Sequence, residues 1–198
     1  TPLSYGAVRT PTAQWTATAA GCCLLRPAGQ GVGIAAATLG RVQDYNIKDI
    51  NNMGAAMAPA AAATLLHYLA DTHAELRDFD CIYTGDLGLV GSQMLRELLV
   101  GGKKESDGPL AAGFDELTTN NRLGQCSWEA AEKQLQLRAA RLCPQKASLP
   151  AERVDLALAG DLQAQCTASG YALRELGVPF AGLFGACSTM AEALALGA

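Results

Sequence analysis

Histidine is almost missing from this chain: 198 residues hold two, His67 and His73. They stand six apart on a stretch that reads as helix and do not share a face, which removes a histidine-based metal site. No C-x-x-C occurs among the seven cysteines, and an odd count without framework spacing gives no disulfide scaffold. Cys22 and Cys23 are adjacent in a strand-like run, so their side chains point to opposite faces and cannot chelate together. A reduced interior without structural zinc follows. Charge is scarce at 17%, and 15 basic against 19 acidic residues leave a net charge of −4. That balance gives no reason to expect nucleic acid or strong attraction to an anionic membrane. No apolar run reaches the length of a bilayer span, and the opening TPLSYGAVRTPTAQW lacks the charged and apolar regions of a signal peptide. Aromatic residues are few at 6%, yet hydrophobic residues reach 49%, so a sizeable core is expected and disorder is not. The glycine run GQGVGI (Gly29, Gly31, Gly33) departs from G-x-G-x-x-G and reads as a turn between strands rather than a nucleotide loop.

What is present repeats itself. FDCIYTGDLGLVGSQMLREL (79–98) and VDLALAGDLQAQCTASGYALREL (154–176) both run Asp, four residues, Gly-Asp-Leu, a small or polar stretch, then a helix carrying Leu-Arg-Glu-Leu. Each follows a helical pattern, 59–73 in the first copy and 127–142 in the second. Pro59 suits a first helical position, and Ser127 suits an N-cap with Glu129 in the first turn. Each copy therefore reads helix, loop, strand, Gly-Asp, helix. Short apolar strands separated by helices predict an α/β fold with a largely parallel sheet. Asp86 and Asp161 then fall where strands end, as ligand groups or as caps of the following helices. Residues 12–25 and 33–45 read as further strands, and 101–122 as a break between two related halves.

The end of the chain, GLFGACSTMAEALALG (182–197), raises the question of chemistry. A short apolar strand over 178–184 gives way through Gly185 and Ala186 to a helix over 188–196. Cys187 stands at that junction, facing backbone N–H groups and the positive end of a helix dipole, both of which favour thiolate. The junction alone fits a reactive thiol and a structural one.

Taken together, TPTAQWTATAAG, YNIKDINNMGAAMAPAAAATLLHYLAD, DCIYTGDLGLVG, KKESDGPL, CSWEAAEKQL, DLALAGDLQAQ and LGVPFAGLFGACSTMAEALALG closely resemble the stage V sporulation protein AD family of endospore-forming bacteria. The resemblance covers nearly the whole chain. It implies a thiolase-like fold of duplicated helix-strand-helix units on mixed, largely parallel sheets, here incomplete. In the family, the material matching 101–198 comes first, with the Cys187 elbow, and the material matching 1–100 comes later. That second segment corresponds to the later part of the first half and the start of the second. A permuted chain, a truncated gene, a misassembled sequence or joined fragments each account for this order. Strands left without neighbours expose edges and apolar faces, so the chain alone is expected to be marginal or to aggregate.

The resemblance further implies a soluble, membrane-associated component that binds dipicolinate (pyridine-2,6-dicarboxylate). It would support uptake of that ligand into the developing spore beside other stage V sporulation membrane proteins, peripherally at the cytoplasmic face of the forespore or spore inner membrane. Calcium enters only within the dipicolinate chelate, no other cofactor or metal is expected, and a homodimer is a family expectation. The implied contacts are Cys187, Ser188 and Thr189, with Asn52 and Met53 of NNMGAAM as a second group; a turn or core packing would also explain the latter two. The alternative is a thiolase-like acyltransferase or condensing enzyme working through Cys187. The family pattern puts the nucleophile's partners in segments not matched here, and His67 and His73 do not carry over to them.

Overall fold

The computed structural model describes residues 10–14, 19–27, 29–99, 114–120, 122–162 and 166–198. The expected break over 101–122 falls largely outside them, as does much of 1–18. Five helices and one small sheet are described, in two compact units.

One unit comprises Pro2–Thr16 and Ala35–Ala111. Its centre is a helix pair: α1, Met53–Thr72, packs on α2, Gly88–Leu98. Asn52 starts α1 by accepting the Ala55 N–H on its side-chain oxygen at 3.3 Å, which satisfies one of the first-turn donors. The helix thus begins six residues before Pro59, which lies inside it rather than at its first position. Four alanines after Pro59 keep helix propensity high across that break. His73 ends α1 in the left-handed conformation (φ 55°), and Ala74 N–H reaches back to the Leu69 carbonyl at 3.0 Å, closing the last turn without glycine. Ala58 and Ala62 of α1 meet Leu87, Leu95 and Leu99 in one buried cluster. The helices approach closely because Gly54 and Gly91 face each other: a β-carbon on Gly54 would stand 1.9 Å from the Leu87 carbonyl oxygen. By length and composition α1 could cross a membrane, a property the sequence reading denied to every stretch. Its alanine face against α2 is equally that of a core helix.

The other unit joins Ala17–Ile34 to Ala112–Ala198. Here α3, Trp128–Lys146, packs on α4, Thr167–Leu176. Ser127 caps α3 through a 3.2 Å bond from Ala130 N–H, with Glu129 in the first turn, as the sequence predicts. The helix runs four residues further than 142, through Pro144. Strands β1, Ala157–Ala159, and β2, Phe180–Gly182, pair in parallel with Leu158 opposite Ala181. The chain makes the crossover from β1 to β2 through α4, which a parallel pair requires. Gly177 (φ 70°) turns the chain out of α4 in the left-handed conformation that glycine adopts freely. Glu175 binds α4 to α3, accepting from Lys133 at 2.6 Å and Arg141 at 3.0 Å. Helix α5, Thr189–Gly197, returns to pack on β1.

Three expected strands are not found. Residues 33–45, 79–85 and the described parts of 12–25 carry neither strand nor helix. A strand exists through its neighbours' hydrogen bonds, and the described residues provide a neighbour only for β1 and β2. The consequence is exposed apolar surface: Tyr83 is 76% exposed and Val42 fully so. The two copies of the repeat therefore share the packed helix pair and differ in the strand. The α/β class stands; the sheet is two parallel strands.

Candidate functional site

The carboxyl end of the parallel pair gathers the chain's unusual groups. β1 runs into Gly160 and Asp161; β2 runs into Leu183 and then a 3-10 turn, Ala186–Ser188, that leads into α5. Leu183 N–H continues the ladder to the Ala159 carbonyl at 2.9 Å. At Gly160 the two crossings close up: a β-carbon there would lie 2.4 Å from the Leu183 carbonyl oxygen and 2.9 Å from Thr189 Cγ2. Only glycine fits that gap.

Asp161 is a cap. It is 7% exposed, and its Oδ2 accepts both the N–H and the hydroxyl of the fully buried Ser169 at 3.0 Å each. Ser169 stands in the first turn of α4, where negative charge and a free acceptor are both favourable. Two side chains of α3 complete the frame: Glu132 accepts from Leu162 N–H at 2.9 Å, and Gln136 donates to the Gly160 carbonyl at 3.4 Å. In the other unit Asp86 does similar work, accepting Gly88 N–H at 2.9 Å at the start of α2. Of the two readings for these aspartates, the cap is the one the contacts display.

Cys187 is exposed within the 3-10 turn. Ser188 directs both its hydroxyl (2.7 Å) and its N–H (2.9 Å) to the Gly185 carbonyl, closing that turn ahead of α5. Thr189 opens α5, and its Oγ1 is buried without a hydrogen-bond partner among the described residues. Glu192, one turn along α5, reaches back toward Gly185, where a β-carbon would stand 2.6 Å from Glu192 Oε2. Sequence reasoning missed a second thiol here. Cys166, before α4, takes the left-handed conformation (φ 77°) and donates its thiol to the Leu183 carbonyl at 3.2 Å. Burial, then the Asp161 carboxylate, push that thiol's pKa up, so it is a protonated donor near neutral pH. Its only signal in the sequence was its place after the second Gly-Asp.

The five contacts implied by the resemblance divide between the units. Cys187, Ser188 and Thr189 are consecutive at the mouth of α5, whereas Asn52 and Met53 belong to the α1–α2 unit. There Asn52 is the α1 cap and Met53 is half exposed. Both histidines are also in that unit, His67 exposed on α1 and His73 as its last cap. No group of three or more His, Cys, Asp or Glu side chains among the described residues is placed to hold a metal ion.

Comparison with known proteins adds the family. The family model of stage V sporulation protein AD matches residues 1–101 and, separately, residues 98–198. The chain belongs to the stage V sporulation protein AD family. Within that family, the stage V sporulation protein AD of Bacillus subtilis (strain 168) is 44% identical over 95 residues, or 48% of this chain and 28% of that protein. The two matches to one stage V sporulation protein AD model meet at residues 98–101.

Proposed function

We propose that the chain serves sporulation as a non-catalytic, thiolase-fold protein that binds dipicolinate and supports its uptake into the developing spore. Membership of the stage V sporulation protein AD family, matched over both halves of the chain, carries this reading. The mouth of α5 supports the choice of site. A flat aromatic diacid is recognised by N–H donors at the end of an apolar slot, and a helix start beside the carboxyl ends of parallel strands supplies such donors. The unmatched Thr189 hydroxyl adds a hydrogen-bonding group at the same place. Asp161 and Glu192 stand close by, so a free dianion meets like charge there, while the neutral one-to-one calcium chelate does not. Calcium thus enters as part of the cargo.

His73 is engaged as the last cap of α1, and the family resemblance puts the nucleophile's partners in segments not matched here, which favours binding over acyl transfer. Attachment is peripheral, at the cytoplasmic face of the forespore or spore inner membrane, through other stage V sporulation membrane proteins, and pairing as a homodimer belongs to the same reading. Calorimetric titration of the chain with dipicolinate, with and without calcium, tests it. Saturable binding that strengthens with calcium supports the proposal. Its absence from a cooperatively folding sample, or acyl mass on Cys187 after incubation with an acyl-CoA, overturns it.

A further inference from the structure

Cys166 stands where α4 begins, yet its side chain does nothing for that helix. Its carbonyl accepts the Gly170 N–H at 2.8 Å, but its thiol makes no capping bond. The first-turn N–H of Ser169 goes to Asp161 instead. Cys166 nevertheless holds the left-handed conformation (φ 77°), which is unfavourable for a residue with a β-carbon. Strain of this kind persists only where surrounding contacts impose it, and it marks residues with another task. Here those contacts lie at the end of β2. The thiol donates to the Leu183 carbonyl at 3.2 Å, and Gly182 leaves room for the sulfur, since a β-carbon there would stand 2.8 Å from it. Burial, then the Asp161 carboxylate, push the thiol's pKa up and so keep the proton that it donates.

Leu183 is where the strand pair hands the chain to the turn that carries Cys187. It is buried, its N–H donates to the Ala159 carbonyl at 2.9 Å and its carbonyl accepts the Cys166 thiol, so both of its peptide groups are fixed. Beyond it, the Ser188 hydroxyl and N–H hold the Gly185 carbonyl at 2.7 and 2.9 Å. Only Phe184, itself exposed, lies between the two anchored residues. We propose that Cys166 is a positioning residue for the mouth of α5: through the Leu183 carbonyl it sets the course of the turn that presents Cys187, Ser188 and Thr189. The inference deepens the reading of that mouth as the dipicolinate site and rests on it for the identity of the ligand. Cys166 is not itself a contact. It fixes where the first-turn donors of α5 stand before a ligand arrives, and donors ordered in advance bind more tightly than donors that must be ordered on binding.

The test is amide hydrogen exchange of the whole chain, read by peptide mass, with calcium dipicolinate affinity measured by calorimetry on the same samples. Cys166→Ala removes the donor, and Gly182→Ala displaces the sulfur while leaving Cys166 in place. Both should speed exchange several-fold over 183–188, leave α3 at its original rate and weaken affinity several-fold. Cys166→Ser keeps a donor and should stay close to the parent in both readouts. A merely structural role would loosen α4 and α3 together. Parent-like exchange over 183–188 in Cys166→Ala, equal loosening of α3, or a Cys166→Ser variant no better than Cys166→Ala overturns the proposal. So does unaltered affinity beside faster exchange. A chain that binds no calcium dipicolinate removes the ligand reading alone, and the exchange pattern still decides the role of Cys166.

Discussion

Replacing Asp161 with alanine removes the acceptor that joins the end of β1 to the first turn of α4. The carboxylate is 7% exposed and receives two bonds of 3.0 Å from Ser169, which is fully buried. A hydrogen bond to a charged group is worth about 1.5–3 kcal/mol net, and a buried donor left unpaired costs about 1–3 kcal/mol. These figures overlap, since both bonds end on one oxygen and the mutant regains the hydration that burying the carboxylate removed. A loss of about 2–4 kcal/mol is expected for Asp161→Ala and about half that for Asp161→Asn, which keeps a neutral acceptor. Urea unfolding followed by Trp128 fluorescence in a Trp15→Phe background reads the unit directly, because Trp128 opens α3 beneath the Arg122 guanidinium at 4.5 Å. Ser169→Ala completes a double-mutant cycle with an expected coupling of about 1–2 kcal/mol. A loss below about 0.5 kcal/mol, or strict additivity with Ser169→Ala, would falsify the capping role.

Gly54→Ala places a β-carbon against the Leu87 backbone, so the α1–α2 pair should lose about 1–3 kcal/mol or separate, read as a lower thermal midpoint; an unchanged midpoint contradicts the close approach. The side-chain bond from Lys133, with Arg141 beside it, holds the Glu175 carboxyl below the usual glutamate range. Its folded pKa is depressed, so its contribution is present above the unfolded value and lost as pH falls through the folded one. Glu175→Gln should flatten the acid limb of a stability–pH curve, and an unaltered limb counts against the α3–α4 tie. Thr189→Val removes an unpaired buried hydroxyl, so stability should hold or rise slightly while calcium dipicolinate affinity falls; unchanged affinity removes Thr189 from the site.

The helices were legible because their signals are local. Ser127 with Glu129 announced α3, and the Leu-Arg-Glu-Leu of each repeat ended a helix that formed. In sequence Asn52 fits a turn or a ligand contact, and its capping bond moves the start of α1 back to Met53. Strands depend on partners that no single stretch announces. Residues 157–159 and 180–182 pair because α4 returns one to the other, whereas 79–85, with the same Gly-Asp ending, has no described partner and stays irregular. At the site, the thiol at the mouth of α5 followed from Gly185 and the helix formers after Ser188. Cys166 did not, because its place beside Leu183 comes from the left-handed turn before α4. The exposed Tyr83 and Val42 follow from the same missing pairings.

The most direct measurement of the central claim is protection of Cys187 by ligand. Cys187 and Cys126 are both exposed, so iodoacetamide should label each in the free chain. With saturating calcium dipicolinate the account predicts that labelling of Cys187 slows several-fold while Cys126 reacts at its original rate. Equal rates at Cys187 with and without ligand would contradict it.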